Sequence, residues 1–138
     1  MTPEIELSDN ELLEQIENCT LDPALFTHET LLRLTWILIN KYGLNIAILK
    51  NNEIKSNYYK NALKSDKFNI TLTKAYTEIL HHFMQQSSTK DFNKLLREFP
   101  RLKYNFNNLV KTHYGYNILK EHRKEGPEPT KPFLFATC

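Results

Sequence analysis

The segment Phe26 to Trp36, FTHETLLRLTW, constrains the fold most, because it opens a very apolar helix with a histidine in its greasiest face. At about 100° per residue, Leu31, Leu34, Leu38 and Tyr42 fall on one flank and Leu32, Ile39 and Trp36 on the other. His28 and Thr35 lie in the cleft between them. An apolar face this wide needs other helices to cover it, which predicts a central helix. An imidazole buried without a hydrogen bond costs about 1–3 kcal/mol, so His28 needs a partner. A backbone carbonyl or a tyrosine is the structural expectation; a pocket in which the ring is a general base or a ligand is the functional one.

The punctuation around this helix sets the architecture. Ser8 and Glu11 form a capping box ahead of Leu12, Leu13 and Ile16, predicting a first helix over 9–19. Asp22-Pro23 interrupts; the second helix covers 28–42 and ends at Gly43, a residue suited to a left-handed cap. Asn45 opens a third helix reaching Leu63, with Leu44, Ala47, Ile48, Ile54, Tyr58 and Ala62 on one side and Lys and Asn elsewhere, the pattern of a peripheral, half-exposed helix. Asn69 or Thr71 caps a fourth helix to Gln86, whose apolar arc runs through Leu72, Ala75, Tyr76, Ile79, Leu80, Phe83 and Met84. A short helix then ends before Pro100, and further helices are expected over 105–113 and 118–124. Pro127, Pro129 and Pro132 favour extended geometry, and Phe133 to Phe135 need cover, so the tail is expected to lie back on the domain. No sustained alternation bounded by hairpin turns occurs. The expected class is all-α: a single compact domain over 1–138 of six to seven helices with a proline-rich extended C-terminal tail, residues 1–7 and 126–138 being extended termini.

Charge and cysteine usage narrow the function classes. The first 30 residues carry eight of the 16 acids and none of the 18 basic side chains. An acidic N-terminal helix on a basic body accounts for that. A nucleic-acid face would require Lys41, Lys50, Lys55, Lys60, Lys64 and Lys67 to converge, but the lysines are scattered along the sequence and nucleic acid is not the expected partner. The longest apolar run, Leu34 to Ile39, is too short to span a bilayer, and the N-terminus is acidic, so a cytoplasmic, membrane-free location is expected. Cys19 and Cys138 make no motif with each other or with histidine. No His-x-x-His or His-Glu-x-x-His spacing occurs, no Gly-x-Ser-x-Gly elbow and no glycine-rich phosphate loop, so neither metal nor cofactor is expected.

Other candidates have plain structural readings beside functional ones. Glu29 and Arg33 are spaced as a surface ion pair. His81 and His82 point about 100° apart on one helix and cannot chelate together. Thr73 inside its apolar arc bonds the preceding turn or supplies a pocket hydroxyl. Thr112 to Tyr116 is a polar-aromatic knot in which His113 and Tyr114 either pack around a turn or face a cavity.

One set of positions matches a known pattern. Phe26, His28, Arg33, Leu34 and Trp36, then Phe68, Asn69, Thr71 and Thr73, then Phe99-Pro100-Arg101-Leu102, His113-Tyr114, and Pro129 with Pro132 follow one another over residues 24–133. The chain thereby resembles a family of small, uncharacterised bacterial all-α proteins with an early Phe-x-His-x-x-His-x-Arg-Leu-Ala-Trp motif and a mid-chain Tyr-His-x-Thr-x-Thr motif, in its Bacteroidetes form with Asn for the mid-chain histidine. The family brings no established activity. Its histidines imply a buried polar or metal-binding pocket; here Leu31 and Asn69 replace two of the three, which leaves His28 and removes the metal. The resemblance raises Arg33, Thr71 and Thr73 to ligand-binding candidates and implies that the helix starts at 28 and 70 face each other.

Whether the chain is an enzyme is not legible. The leading expectation is a partly enclosed polar pocket for a small molecule or modest acid-base chemistry, with His28 moving the proton, Arg33 anchoring an anion, Trp36, Asn69, Thr71, Thr73 and His113 lining it and Tyr114 closing it. The alternative is a non-enzymatic interaction module or homo-oligomer that uses a helix face or the tail.

Overall fold

Side-chain caps start four of the seven described helices. The Asn45 cap expected for the third is absent, since that helix starts at Leu44 after Gly43 with no side-chain cap bond. A computed structural model of the chain describes residues 7–114, all-α with seven helices and no strand among them. Helix α1 (Asp9–Glu17) begins at the Ser8–Glu11 capping box: the Glu11 amide donates to Ser8 Oγ at 3.2 Å and the Ser8 amide to Glu11 Oε1 at 3.0 Å. Those bonds hold the Glu11 carboxyl below its ordinary value. A 3₁₀ turn (Pro23–Leu25) capped by Asp22 leads to α2 (His28–Tyr42), whose cap is Thr27. Then follow α3 (Leu44–Asn61), α4 (Ile70–Gln85), capped by Asn69, α5 (Phe92–Glu98), capped by Asp91, α6 (Arg101–Tyr104) and α7 (Phe106–Tyr114). The expected helix over 118–124, the proline-rich tail and Phe133 to Phe135 lie outside the described residues, as do residues 1–6 and the side chains of His113 and Tyr114.

Gly43 ends α2 and starts α3 at φ 82° and ψ 171°. That conformation is extended with positive φ, a region open essentially to glycine, rather than the left-handed helical cap expected. A Cβ there would meet nothing within 4 Å, so the preference for glycine is one of backbone conformation alone.

Helices α2, α3 and α4 pack against one another and make the core, with α1 on α2 and α3, and α7 on α4. Leu32, Leu34, Leu38, Ala47, Ile79 and Leu80 are sealed between them. This corrects one half of the expectation for α3: it is half-exposed as expected, but it packs on α1, α2 and α4 and is not peripheral. Asn51 and Lys55, fully buried among its apolar residues, complete the face that meets α2 and α4. Near its C-terminal end the Tyr58 hydroxyl donates to the Leu21 carbonyl at 2.6 Å and its ring stacks on Phe26, 4.2 Å between centroids.

The charged surface also differs from expectation. Arg33 and Glu29 do not pair: Arg33 donates from Nε and Nη2 to Asp9 Oδ1 at 3.1 and 2.8 Å and from Nη2 to the Leu7 carbonyl at 2.8 Å, whereas Glu29 pairs with Lys103 at 2.8 Å. Two bonds to Asp9 of α1 and one to Leu7 just before it outweigh a single surface contact one turn away. Among the described residues Arg33–Asp9 is the one ion pair that ties α1 to the body; Glu11, Glu14 and Glu17 face outward. No helix of the described residues is long and apolar enough to cross a membrane.

Candidate functional site: a polar seam in the core

Three residues of α2 and α4 make a hydroxyl ladder inside the apolar interface. Thr35 donates to the Leu31 carbonyl at 2.8 Å, Thr73 to Asn69 at 3.0 Å and Thr77 to Thr73 at 3.0 Å, each spending its one hydrogen on its own helix. Their oxygens remain able to accept. Asn51 of α3, fully buried, donates its amide hydrogens across the seam to Thr35 Oγ1 at 2.9 Å and Thr77 Oγ1 at 3.1 Å. Among the described residues its Oδ1 has no partner. An unpaired carbonyl oxygen inside the core costs about 1–3 kcal/mol.

One turn further along α3, Lys55 is 3% exposed. Its Nζ lies over the Tyr76 ring, 4.4 Å from the centroid, and neither ion pair among the described residues includes it. Burial of the ammonium, with no acid to offset it, pulls the Lys55 pKa down from 10.5 to about 7. Tyr59 follows on the next turn of the same helix, stacking edge-on with Phe26 and Phe68.

Tyr76 also engages His28. The Tyr76 hydroxyl and His28 Nδ1 are 2.6 Å apart, and His28 Nε2 is 2.9 Å from the Leu102 carbonyl. A carbonyl can only accept, so Nε2 carries the hydrogen and Nδ1 accepts from the phenol; this tautomer follows from the network. Burial lowers the His28 pKa, the Leu102 bond opposing it, and the nearby Lys55 lowers it further. Burial raises the Tyr76 phenol, so it stays protonated. Phe106 closes the aromatic wall, stacking on Tyr76 at 4.3 Å and lying 5.2 Å from the His28 ring. Both partners foreseen for His28, a carbonyl and a tyrosine, are therefore present at once. With both nitrogens engaged, the half-buried ring ties α2 to α4 and α6.

The other sequence candidates scatter. Arg33 sits on the surface with Asp9, and Trp36 packs on Phe92 of α5, 5.7 Å between ring centroids. Asn69 is an exposed cap, its Oδ1 accepting from the Leu72 amide at 2.9 Å. Thr71 is half-buried in the first turn of α4, and Thr73 belongs to the ladder. His28 meets α4 at Tyr76, well inside the helix, rather than at its start. Lys55, Asn51 and Tyr76 form the site that sequence reasoning passed over. The available signal was the row Ala47, Asn51, Ile54, Lys55 and Tyr58, in which two polar residues occupy core positions of one helix face.

Lys55 is also withdrawn from the basic face that nucleic-acid binding would need; Lys41 and Lys50 lie over the Tyr42 ring, while Lys60, Lys64 and Lys67 line an open groove after α3. No group of three His, Cys, Asp or Glu among the described residues could hold a metal ion. Comparison with family models, with curated proteins and with solved structures finds no match.

Proposed function

We propose that this chain binds a small molecule in the seam between α2, α3 and α4, and that Lys55 with the Tyr76–His28 pair carries acid-base chemistry there. The observation that supports it is the Lys55 amine, buried on the Tyr76 face without an acid, one turn from the unpartnered Asn51 Oδ1. A core built for stability alone gains from neither group, since an apolar residue of the same volume avoids both desolvation costs. Strongly displaced pKa values cluster at functional sites, and here a base, a held phenol and a neutral imidazole adjoin one another. The reading moves the proton-handling role from His28 alone to the three residues together. Arg33 is occupied by Asp9 and anchors no ligand in it.

The test is a thermal-shift panel of small carboxylic acids, amides and carbonyl compounds on wild type, Lys55→Met and Asn51→Leu. A compound that stabilises wild type and fails on both variants is the expected result. Equal responses from all three proteins overturn the reading.

A second reading, self-association, has its own support. Ile46 and Leu49 on α3 are 48% and 68% exposed beside Tyr42, an apolar patch at the α2–α3 join. Sedimentation velocity of wild type and Leu49→Glu tests it: wild type that stays monomeric at every concentration rules it out.

A further inference from the structure

We propose that Lys55 is a nucleophilic amine that captures a small uncharged aldehyde as a Schiff base, with the Tyr76 ring holding the amine. The inference rests on the reading of the seam as a binding site, and it names the substrate class. Three features of the geometry lead to it. Among the described residues the amine has no carboxylate to keep it charged and hold it away from an electrophile. It is fixed on an aromatic face, 4.4 Å from the Tyr76 centroid, which favours the cationic imine as well as the ammonium. The oxygen of Asn51, one turn back on the same helix face, has no donor among the described residues, which marks a polar acceptor left over in the seam. The substrate is uncharged because the surroundings are aromatic, Tyr76 with Tyr59 one turn on, and the Arg33 guanidinium is committed to Asp9.

The step balances without oxidant or reductant. The Lys55 lone pair forms the N–C bond as the carbonyl π pair moves to oxygen, and one amine hydrogen passes to that oxygen. The carbinolamine then breaks its C–O bond, and the second amine hydrogen leaves with the hydroxyl as water. Amine and aldehyde give imine and water. Burial also holds the amine near neutrality at about pH 7, where ordinary surface lysines are almost wholly protonated. Tyr76 and His28 act as positioning residues: the 2.6 Å bond between them fixes the ring on which the amine rests.

The experiment is reductive trapping of the intact protein with formaldehyde or acetaldehyde and cyanoborohydride at pH 7, read by peptide mapping of all 14 lysines. Lys55 is expected to react at least about tenfold faster than the surface average. Its advantage should shrink roughly tenfold between pH 8 and pH 9, as surface amines deprotonate and Lys55 has already done so. Lys55→Met, with unchanged circular dichroism, should lose the fast site alone. Lys55 ranking among the slowest lysines of the folded wild type with both aldehydes overturns the proposal. Should small molecules still stabilise wild type in a Lys55-dependent way, only the aldehyde chemistry falls; should that dependence be missing too, the binding site falls with it.

Discussion

Replacing Lys55 by methionine should stabilise the protein, by an amount that depends on pH. Methionine keeps the length of the stem and sets a thioether on the Tyr76 ring without a charge to desolvate. Lowering the amine from 10.5 to about 7 corresponds to on the order of 5 kcal/mol. The sign follows from proton binding. Below pH 7 folded and unfolded chains both hold the proton, and the burial cost stands at its full value. Between pH 7 and 10.5 the unfolded chain holds it and the folded chain does not, so wild-type stability climbs by about 1.4 kcal/mol per pH unit from this group. By pH 9 the remaining cost is about 2 kcal/mol. The advantage of Lys55→Met over wild type should thus narrow by about 3 kcal/mol between pH 6.5 and pH 9. Urea unfolding followed by the fluorescence of Trp36, the single tryptophan, measures it, since every other titrating group cancels between the two proteins. A difference that stays constant over this range, or a methionine variant less stable than wild type at pH 6.5, refutes the account of an unpaired buried amine.

His28→Gln should lower stability by about 1–3 kcal/mol in urea titrations at pH 7, because it breaks the bonds to Tyr76 and Leu102. Since the folded His28 pKa lies below its ordinary 6.5, wild-type stability should fall as pH drops below that value, a component that the glutamine variant loses. Tyr58→Phe leaves the Leu21 carbonyl unpaired in the core and should cost about 1–3 kcal/mol by chemical denaturation. A double-mutant cycle on Asp9→Ala and Arg33→Ala should return a coupling of about 1 kcal/mol or less that shrinks in high salt, as expected for a pair with one partner exposed and the other half-buried. Ser8→Ala should cost about 1 kcal/mol and lower the helicity of α1 by circular dichroism.

The fold was legible wherever a local signal decided it. Ser8 with Glu11, Thr27, Asn69, Asp91 and Gly43 each act through residues within a turn, so helix starts and stops could be read from the chain. The need of His28 for a carbonyl or a tyrosine was readable too, because desolvation is a property of the residue. Which tyrosine and which carbonyl were not, since Tyr76 and Leu102 arrive through tertiary packing. Pairing of Arg33 with Asp9 rather than Glu29 is the same lesson: a neighbour on one helix is visible in sequence, a competitor on another is not. Lys55 was misplaced by its type, because a lysine between asparagines reads as surface until the helices on both sides are known to cover it.

The His28 ring joins positions 48 and 74 residues away along the chain. Closing the longer of two such loops costs only a few tenths of a kcal/mol more than the shorter, because closure entropy grows as the logarithm of length. The order of assembly is another matter. The capped helices carry their own start signals, but the imidazole is satisfied only with α4 docked on α2 and the Leu102 carbonyl in place. Until then it is a polar group exposed at the mouth of an unfinished core. His28 therefore reports on completed packing: both ring nitrogens are engaged only when α4 and α6 are in place on α2.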